Sequence, residues 1–485
     1  MEFAERKQLG AYYTPDDVVR SLVRWATRST RDRMLDPACG DGRFLTAHPH
    51  SVGVEQDRAA ALIVHQRSPG SLIHEGDFFT WAAETKERFD CAAGNPPFIR
   101  YQRFTGAVRA AATSLCASHG AHFSGLSSSW APFIVATASL LRRGGRLAFV
   151  VPAEIGHAPY AKPLLDFLVS HFAHVQLVAV RERLFSDLSE DCWLLYAAGF
   201  GEQAQQIHLS PLDFFAYMPN PPSLSIRVGL KEWQKWNSRL RPFLLSAAAR
   251  DLYAESLREG HAFRLGDAAR VGIGYVTGAN DFFHLRPSDA DRAEIPRFFL
   301  QPSVRNGGSL PPRAVTASTV AEWIRRDEPV LLLRLHKDSD VPRSVKRYLD
   351  SPAGLAARQT YKCRTRDPWF VVPDVSAPDG FLSYMSGNGP SLVSNHTDCA
   401  CTNSVHAVRL LDRRMSMGRL RKSWDHPFTR LSCEVEGHPL GGGMLKLEPG
   451  EASRIALVTR ERWTTSDQRL IRDGIDTMCR WRHCG

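Results

Sequence analysis

The sequence of 485 residues contains no apolar run close to the roughly 18 residues that a membrane-spanning helix needs. Its first ten residues, MEFAERKQLG, lack the charged start and apolar centre of a secretory signal peptide. Its ten cysteines are scattered and show none of the regular spacing of a disulfide framework. These absences argue against a membrane-spanning protein and against a disulfide-rich secreted one, and they predict a cytoplasmic location with reduced cysteines.

The patterns of a zinc site and of a nuclease are also missing. Cysteine and histidine lie close together in two places: Cys399, Cys401 and His406, and Cys479, His483 and Cys484. Because neither group contains a paired Cys-x-x-Cys, we expect no metal site. No PD…ExK pattern stands out, and the segment before residue 10 is too short for a fused nuclease domain. We therefore expect no restriction activity within the same chain.

The charge balance and the length indicate a multidomain protein with an anionic partner. Lys and Arg number 61 against 51 Asp and Glu, which gives a formal net charge of +10. Such a surplus suits a polyanion such as nucleic acid, although many basic proteins bind none. A chain of 485 residues exceeds what one hydrophobic core organises, so we expect two or three domains.

Short apolar runs alternate with helix-like segments in residues 1–215. The helical patterns include 16–27, which opens with two aspartates, and 130–143. The runs predicted as strands are 34–36, 51–55, 71–76, 89–94, 146–152, 175–180 and 192–200. This alternation predicts a doubly wound α/β domain with a largely parallel sheet, in which the last two runs pair as antiparallel neighbours at one edge.

The character of the chain changes near residue 215. Residues 216–260 contain a proline-rich stretch and then a helix-like pattern at 231–255, and they are interpreted as a connection between domains. Residues 261–485 are richer in glycine, in short β-like runs and in basic or aromatic clusters. We expect a second domain there, and the pattern alone does not give its fold.

The first motif with chemical content is MLDPACGDGRFL, residues 34–45. An apolar strand ends at Asp36, a turn contains Gly40 and Gly42, and a helical face begins at Phe44. Glycines let a ligand approach the backbone, and a helix N-terminus favours negative charge such as a carboxylate. Asp36 can accept a hydrogen bond from a ligand ammonium. A tight strand-to-helix turn without a ligand explains the same pattern.

Acidic residues end the next two strands as well. Glu55, in GVEQD, is placed where a carboxylate of nucleotide-binding folds accepts both hydroxyls of a ribose. Asp77, in GDFF, can accept from an exocyclic amine while Phe78 packs on a flat ring. The alternatives are a helix cap at Glu55, a turn at Asp77 and a core position for Phe78. Since ligands of such sheets bind beyond the carboxyl ends of the strands, the three strand ends together favour a nucleoside site.

The fourth strand runs into NPPF, within FDCAAGNPPFIRYQ (89–102). Pro96 and Pro97 remove two backbone donors and fix two φ angles, so this loop is rigid. The Asn95 side-chain oxygen and the Pro96 carbonyl can accept the hydrogens of a planar amine such as adenine N6 and free its lone pair. Phe98 can stack on the base. Rigidity matters because a misplacement of ~1 Å can cost ~10²-fold in rate. A strand-ending Asn-Pro turn is the alternative.

In this order, GAYYTP (10–15), DPACGDGRFL, GVEQD, GDFF and NPPF resemble the motifs of γ-class N6-adenine DNA methyltransferases, most nearly the TaqI type of bacterial restriction–modification systems. The resemblance covers about residues 1–200 and continues more loosely to the C-terminus. It implies S-adenosylmethionine (SAM) as cofactor and double-stranded DNA as substrate, with the target adenine flipped out of the stack. A separate restriction endonuclease acting on the same site is the candidate protein partner.

The resemblance also implies residue roles. Asn95 and the Pro96 carbonyl bind the target amino group, and Phe98 stacks on the base. The implied cofactor residues are Thr14 at the methionine part of SAM, Asp36, Pro37, Ala38 and Cys39 around its amino acid part, Gly40 and Gly42 in the turn, Glu55 at the ribose, Asp77 and Phe78 at the adenine, and Pro97 beside the cofactor.

Two positions depend on looser matches to the family. The family has an aromatic residue after the sixth strand that holds the flipped base from its other side, and Phe185 in RERLFSDLSED is the matching residue. A core phenylalanine is the alternative there. In SSSWAPF (127–133) an Asp is expected before the aromatic residue, and Ser129 stands in its place. A cofactor contact at Ser129 is therefore not assigned.

The second half contains segments that suit contact with DNA. Basic and aromatic residues interleave in RQTYKCRTRDPWF (358–370): Arg358, Lys362, Arg364 and Arg366 with Tyr361, Trp369 and Phe370. A second basic cluster is 413–424. Basic residues contact phosphates or guanine edges and aromatic rings pack on sugars or bases, but a solvated surface explains either cluster alone. Segments 271–285 and 437–449 resemble the target-recognition part of the family, and the glycine run 441–443 allows a close turn, against DNA or in a plain loop.

Together these observations predict a DNA adenine-N6 methyltransferase that needs no metal. Residues 1–215 form the catalytic domain, α/β with a Rossmann-like SAM-dependent methyltransferase sheet and an antiparallel edge, 216–260 connect, and 261–485 form a mixed α+β target-recognition domain. One alternative is an enzyme that methylates another planar amide or amine, such as a glutamine side chain or an RNA base. The other is a protein that binds DNA or SAM without turnover, against which the intact NPPF motif argues.

Overall fold

The computed structural model of the protein describes residues 14–185, 190–338, 340–412, 414–459 and 463–484. Contacts divide the chain after Leu245 into two compact units. The residues up to Leu245 are called the first unit, and those from Ser246 the second unit. Within the described residues, no helix combines the length and the apolar character needed to span a bilayer.

The first unit alternates strands and helices. Its strands are β1 (Met34–Asp36), β2 (Ser51–Glu55), β3 (Leu72–Glu75), β4 (Phe89–Gly94), β5 (Leu141–Pro152), β6 (Phe172–Val180), β7 (Cys192–Phe200), β8 (Gln206–Leu212) and β9 (Ile226–Gly229). Its helices are α1 (Asp16–Ala26), α2 (Arg43–Thr46), α3 (Arg58–Arg67), α4 (Phe78–Glu84), α5 (Gly106–Ser118), α6 (Trp130–Ser139), α7 (Lys162–His171) and α8 (Leu230–Lys235). Short 3₁₀ turns lie at Ala153–Gly156, Pro159–Ala161 and Arg241–Leu244. Every predicted strand of this unit is present.

The strands of the first unit form one nine-stranded sheet in the order β3-β2-β1-β4-β5-β7-β6-β8-β9. The pairs from β3 to β5 are all parallel. Strand β7 lies antiparallel between β5 and β6. The predicted α/β fold with a largely parallel sheet and an antiparallel element is confirmed. The β6–β7 pair is not at the edge, however, because β8 and then β9 extend the sheet beyond β6.

Helix α1 shows how the core of this unit forms. Asp16 and Asp17 lie in its first turn, where carboxylates interact favourably with the helix dipole. The apolar side chains that follow, including Val18 and Leu22, are buried and belong to one cluster with residues of β4 and β5. Strand β5 is buried continuously from Leu147 to its end, which explains its unbroken apolar sequence.

The first four strands end at one edge of the sheet. Strand β1 ends at Asp36, β2 at Glu55, β3 at Glu75 and β4 at Gly94. Because these strands are parallel neighbours, their carboxyl ends meet, and the residues that follow them lie in one region.

The predicted helix 130–143 is shorter in the structure. Helix α6 ends at Ser139, and β5 begins at Leu141. The backbone N–H of Phe89 donates to the carbonyl of Leu140, and Phe89 is in register with Leu141. Strand pairing with β4 therefore replaces the last helical turn that the apolar pattern predicts.

The first unit also continues past residue 215. Strand β9 pairs with β8 inside the large sheet, so part of the predicted connection 216–260 belongs to this unit. The helical stretch expected at 231–255 is interrupted, because Asn237 and Ser238 both adopt positive φ, which ends a helix. The structure divides the chain at Leu245 instead.

The second unit is built from short elements. Its strands are β10 (Ala262–Arg264), β11 (Ala269–Ile273), β12 (His284–Leu285), β13 (Leu300–Val304), β14 (Ala314–Val315), β15 (Leu331–Leu333), β16 (Gly380–Ser383), β17 (Met385–Ser386), β18 (Leu392–Asn395), β19 (Ala400–Cys401), β20 (Val405–Leu410), β21 (His438–Leu440), β22 (Met444–Lys446) and β23 (Ala456–Val458). Its helices are α9 (Ala247–Arg258), α10 (Leu265–Ala268), α11 (Asn280–Phe283), α12 (Pro287–Arg292), α13 (Ala317–Arg325), α14 (Arg343–Leu349), α15 (Pro352–Arg358), α16 (Tyr361–Arg364), α17 (Met417–Trp424), α18 (Pro427–Glu436), α19 (Pro449–Arg454) and α20 (Thr465–Arg480). Further 3₁₀ turns lie at Arg297–Phe299 and Gly307–Ser309.

These strands form several small sheets. The described residues contain a five-stranded sheet (β11-β20-β16-β18-β14), a four-stranded sheet (β12-β15-β13-β19), a three-stranded sheet (β17-β22-β21) and a two-stranded one (β10-β23). Separate apolar clusters are buried around them. The mixed α+β character predicted for this half is present, although no strand pattern in the sequence predicts the arrangement.

Candidate active site

A cavity of about 470 Å³ lies at the edge where the first four strands end. Its size suits a small-molecule or cofactor ligand. The predicted site residues that line it are Thr14, Asp36, Pro37, Ala38, Cys39, Gly40, Glu55, Asp77, Phe78, Asn95 and Pro97. Those outside its lining are Gly42, Pro96, Phe98 and Phe185. The structure therefore brings most of the predicted cofactor residues together around one space.

Asp36 is a buried carboxylate in this cavity. Its Oδ1 accepts from the Ala38 N–H at 3.2 Å, while its Oδ2 is buried without a hydrogen-bond partner in the described residues. Burial raises the pKa of Asp36 to about 8, and the carboxylates of Glu55 and Asp41 add to the rise. A Cβ at Gly94 would lie 2.7 Å from Asp36 Oδ1, so only glycine leaves room there. A buried acceptor without a partner suits a ligand cation.

Glu55 ties the glycine turn to β2. Its Oε2 accepts from the Gly40 N–H at 2.8 Å and its Oε1 from the Asp57 N–H at 2.7 Å. Burial raises the pKa of Glu55, and these two hydrogen bonds oppose the rise. The cap of α3 is Asp57, which accepts from the Ala59 N–H at 2.8 Å, so Glu55 is not a helix cap. A carboxylate has about four acceptor positions, so Glu55 retains capacity for ligand hydroxyls.

Asp77 and Phe78 combine a structural position with a place in the cavity lining. Asp77 caps α4, since its Oδ1 accepts from the N–H and hydroxyl of Thr80 at 2.9 and 3.0 Å. Those bonds do not use Oδ2. Phe78 is buried, and its ring stacks on Phe133 with centroids 5.1 Å apart and planes 13° apart. Phe133 also lines the cavity. Asp77 is thus part of a turn and Phe78 is a core residue, as the alternatives stated. The two residues also line the cavity, Asp77 with a polar group and Phe78 with a flat apolar ring.

The two glycines of the turn after β1 have different roles: Gly40 lines the cavity, and Gly42 packs against α3. Gly40 and Gly42 both have positive φ, at +53° and +81°, a region that favours glycine. A Cβ at Gly42 would approach Val64 to 3.0 Å, so this glycine permits packing on α3. Burial raises the pKa of the Cys39 thiol, which keeps it neutral beside the turn. Because α2 has only four residues, the helix dipole expected here is weak.

Asn95 follows β4 and is held by a residue from the start of the described chain. Its Nδ2 donates to Thr14 Oγ1 at 3.2 Å, and Thr14 is buried. Because Nδ2 is the donor in this contact, Oδ1 is the atom of the amide that can accept from an amine. The preceding residues of the GAYYTP motif, 10–13, lie outside the described residues.

The NPPF loop is fixed on its other side by Ser129. The Ser129 hydroxyl bonds with Pro97 and with Ile99, and Ser129 itself is buried. Pro96 is buried as well, while Phe98 is half-buried. The sequence marks Ser129 only as a departure from the resembled family, and Phe133 only as an apolar position in SSSWAPF. Neither contact is predictable from the motif alone.

The two aromatic residues predicted to hold a base share one apolar cluster. Phe185 is 6% exposed and lies within the cluster, whereas Phe98 is partly buried and packs against it. The structure therefore places Phe185 where the core alternative puts it, and its contact with a base stays a prediction. Arg100 forms an ion pair with Glu190 at 2.7 Å, which links the NPPF loop to the Phe185 segment. Residues 186–189 lie outside the described residues.

In the second unit, the segment 358–370 divides into a half-buried part that packs on the protein and an exposed part. Arg366 donates to the carbonyls of residues 276 and 277 at 2.5 and 2.7 Å. Trp369 and Phe370 pack against a buried cluster. The exposed residues include Arg358, Tyr361, Lys362 and Arg364, and Tyr361 is 69% exposed. Their three cations form no ion pair with any described residue. A cavity of about 500 Å³ lies beside Arg358, Arg364 and Arg366.

The second basic cluster, 413–424, is partly structural. Helix α17 buries Met417, Leu420 and Trp424 against the core of the unit. Arg421 forms an ion pair with Asp425 at 3.6 Å and donates to a backbone carbonyl. Arg413 lies outside the described residues. Fewer cations of this cluster are therefore available to a partner than its sequence suggests.

The glycine run 441–443 forms the turn between β21 and β22. Gly442 and Gly443 have positive φ, and a Cβ at Gly443 would lie 2.8 Å from the His483 carbonyl. The close approach that this run permits is thus to the protein's own backbone. In segment 271–285, Gly274 plays a comparable part, because a Cβ there would collide with the Cys401 carbonyl.

Comparison with models of protein families assigns three parts of the chain. Residues 234–483 match the model described as Type II methyltransferase M.Eco57I, C-terminal domain. Residues 56–185 match Eco57I restriction-modification methylase, and residues 2–67 match N-6 DNA Methylase.

Individual proteins resemble the chain over most of its length. Type II methyltransferase M.XamI from Xanthomonas campestris pv. amaranthicola is 25% identical over 473 residues, which cover 93% of this chain and 85% of that protein. Type II methyltransferase M.AccI from Acinetobacter calcoaceticus is 18% identical over 478 residues, with the same coverage of 93% and 85%. Among solved structures, the Type IIL restriction-modification enzyme MmeI in complex with DNA aligns with a TM-score of 0.54 and 12% identity, covering 99% of this chain and 77% of that one. This last likeness concerns the fold.

Proposed function

The chain belongs to the family of Type II methyltransferases described by M.Eco57I and is a DNA adenine methyltransferase of a restriction–modification system, and from this premise we propose how its residues carry the reaction. The predicted resemblance to N6-adenine DNA methyltransferases of restriction–modification systems and the predicted enzyme class are thereby confirmed. The observation that carries the proposal is the single cavity that collects Asp36, Glu55, Asp77 and Asn95 from four adjacent strand ends.

We propose that this cavity binds SAM, whose use the family implies. The residues present fit the cofactor. The Oδ2 of Asp36, which has no partner among the described residues, suits its ammonium. Glu55 suits its ribose hydroxyls, and Asp77 with the Phe78 ring suits its adenine. Pro37, Ala38, Cys39, Gly40 and Pro97 supply close backbone or apolar walls, and Thr14 lies beside the methionine part. When bound, SAM supplies an electrophilic methyl group.

The target amine is addressed by the NPPF loop in this proposal. Asn95 Oδ1 and the Pro96 carbonyl accept the two hydrogens of adenine N6, which draws the nitrogen towards tetrahedral geometry and frees its lone pair. The Pro96 carbonyl accepts no hydrogen bond from the described residues, so it is available to the substrate. The proton is lost to solvent after transfer. The adenine has to leave the DNA stack to reach this loop.

Phe98 is the better-placed aromatic residue for stacking on the flipped base. It is partly exposed at the margin of the cluster, whereas Phe185 would have to leave a buried position and lose apolar burial of its ring. We keep Phe185 as the second wall of the base site, reached when its segment moves on DNA binding. The Arg100–Glu190 ion pair is the contact that such a movement would break.

The second unit is proposed to recognise the DNA target. Its exposed Arg358, Lys362 and Arg364, which form no ion pair with a described residue, suit phosphate and base contacts together with Tyr361. A separate restriction endonuclease acting on the same site, and a cytoplasmic location, belong to the same proposal.

Expression in a host without DNA methylation tests the function. Single-molecule sequencing of that host's DNA would reveal N6-methyladenine in one defined sequence motif. The Asn95→Ala variant, expressed at the same level, should leave the DNA unmodified. An unmodified genome with the wild-type protein would favour a binding protein without turnover. Methylation of RNA or of protein glutamine instead would favour the other alternative.

A further inference from the structure

We propose that Ser129 is a positioning residue of the methyl-transfer reaction. Its hydroxyl holds the 95–99 loop so that the Pro96 carbonyl stays available to the target amine. The inference rests on the proposed function, in which Asn95 and the Pro96 carbonyl bind adenine N6. Ser129 acts through the loop and touches neither cofactor nor base.

The 95–99 loop, NPPFI, is poor in backbone donors. Pro96 and Pro97 have no N–H groups, so the chain beyond β4 cannot be fixed by a regular ladder of backbone hydrogen bonds. Its placement depends on side chains from elsewhere in the unit. Thr14 holds the Asn95 amide, and Ser129 holds the backbone beyond the prolines.

Ser129 makes three hydrogen bonds with this loop. Its Oγ donates to the Pro97 carbonyl at 2.5 Å and accepts from the Ile99 N–H at 3.0 Å. Its backbone N–H donates to the Ile99 carbonyl at 3.0 Å. A hydroxyl can donate and accept at once, which a methyl group cannot do. Ser129 is fully buried, so its own side of these contacts is shielded from water.

The anchor for these contacts is a buried helix. Ser129 stands at the N-cap of α6, where a serine hydroxyl commonly accepts from a backbone N–H of the first turn. In this chain the hydroxyl makes no such cap bond and contacts the loop instead. Residues 130–138 are all buried, so α6 offers a fixed support.

Because of the Ser129 contacts, the two successive carbonyls of Pro96 and Pro97 differ in their hydrogen bonding. The Pro97 carbonyl is occupied by Ser129, while the Pro96 carbonyl accepts no hydrogen bond from the described residues. Ser129 thereby fixes which carbonyl the substrate meets and in which direction it points. A loss of the hydroxyl leaves the Pro97 carbonyl and the Ile99 N–H, which belong to half-buried residues, without this partner, and the loop shifts to satisfy them.

The test compares Ser129→Ala with Ser127→Ala in the full-length enzyme. Ser127 is a matched control, since it is also buried and its hydroxyl has no hydrogen-bond partner in the described residues. Four quantities are measured: the single-turnover methylation rate on unmethylated genomic DNA, the Kd for SAM, the melting temperature, and the hydrogen-exchange rate of the Ile99 amide.

We expect Ser129→Ala to lower the single-turnover rate by about 10- to 100-fold, the scale of a displacement approaching ~1 Å. The Kd for SAM should change by less than about twofold, because the Asp36 and Glu55 contacts are untouched. The Ile99 amide should exchange faster. Ser127→Ala should leave all four quantities unchanged.

Two results would overturn the assignment. In the first, Ser129→Ala exchanges faster at Ile99 but keeps its single-turnover rate within about twofold of the wild type. In the second, SAM binding and the melting temperature fall together with the rate, which indicates a general structural role. A wild-type enzyme that leaves DNA unmethylated would instead refute the proposed function itself.

Discussion

The first unit gathers its polar side chains at one edge of a single nine-stranded sheet, whereas the second unit distributes its own over several small sheets. In the first unit, parallel neighbours bring Asp36, Glu55, Asp77 and Asn95 to one cavity. In the second unit, residues of one basic segment differ in their surroundings: Arg366 is half-buried and donates to a backbone carbonyl, whereas Arg364 is exposed. Where parallel strands end side by side, motifs at the strand ends predict one shared site from the sequence. Where the strands belong to several small sheets, sequence motifs do not predict which residues come together.

The two units also differ in the state of their charged groups. Burial raises the pKa of both Asp36 and Glu55, so the first unit holds acids that a small cationic ligand would stabilise. The second unit presents Arg358, Lys362 and Arg364 to solvent without ion-pair partners in the described residues. One unit is therefore suited to SAM and the other to a phosphate backbone, and variants in each should alter different quantities.

The largest expected effect belongs to the NPPF loop of the first unit. Asn95→Ala removes one acceptor for the target amine and should lower the methylation rate by about 10²- to 10³-fold, as the loss of one preorganised hydrogen bond does elsewhere. SAM binding, measured by calorimetry, should stay within about twofold of wild type, because Asp36 and Glu55 are unchanged. Near-normal methylation by this variant would show that the loop is assigned wrongly.

A smaller effect, on binding rather than rate, is expected at Asp36. Asp36→Asn removes the buried carboxylate, and the Kd for SAM should rise by about 10- to 100-fold, the scale of a hydrogen bond to a charged group. Calorimetric titration of the full-length variant measures it, and unchanged affinity would contradict the placement of the ammonium.

The folding of the Asp36→Asn variant provides its own control. The pKa of Asp36 is raised from its ordinary 3.8 to about 8, so the folded state holds this proton more tightly than the unfolded chain does. Stability from this group is therefore fully present below the ordinary value and is lost as pH rises towards 8. The ligand-free variant should melt at or above the wild-type temperature at pH 9. A lower melting temperature would mean that the loss of SAM binding reports misfolding.

The same raised pKa predicts a pH dependence of SAM affinity. Asp36 has to ionise to meet the ammonium, so the Kd for SAM should rise as pH falls below about 8, by up to tenfold per pH unit. Titrations between pH 8 and pH 6.5, in a buffer of constant ionic strength, measure the slope. The slope should be flat in Asp36→Asn, and a pH-dependent variant would assign the proton to another group.

The smallest effect is expected from the second unit. Replacing Arg358 and Arg364 together by alanine should raise the KM for DNA severalfold and leave the single-turnover rate unchanged. Each lost phosphate contact should reduce the slope of log affinity against log salt by about 0.9. The control is Arg325→Ala, an exposed arginine of the same unit that is already paired with Glu322 at 2.7 Å. An equal response of the control would show that only net charge matters.

The sequence predicts the strand ends of the first unit well and the surroundings of the site poorly. Strands ending at Asp36, Glu55 and Gly94 follow from short apolar runs closed by polar or glycine residues. The contacts of Ser129 and the stacking of Phe133 on Phe78 depend on a helix that arrives from far along the chain. No local sequence pattern predicts a contact between residues so far apart in the chain.

Buried and exposed members of a motif are likewise not separable by pattern. Phe185 and Phe98 are both aromatic residues beside polar segments, yet one is in the core and the other at its margin. In the sequence, Arg366 is not distinguishable from the other basic residues of 358–370. In the structure, it donates hydrogen bonds to the carbonyls of residues 276 and 277. Whether such a side chain is buried or exposed depends on its tertiary partners, and those partners come from segments distant in sequence.

Hydrogen–deuterium exchange of the full-length protein, with SAM alone and then with a DNA duplex containing the sequenced target motif, tests the division between the units most directly. SAM alone should protect segments 36–43, 53–57, 76–80 and 95–99 and leave 358–366 unchanged. Addition of the duplex should then protect 358–366. Protection of the second unit by SAM, or no protection at the strand ends of the first, would contradict the central claim that the cofactor binds at this edge of the sheet.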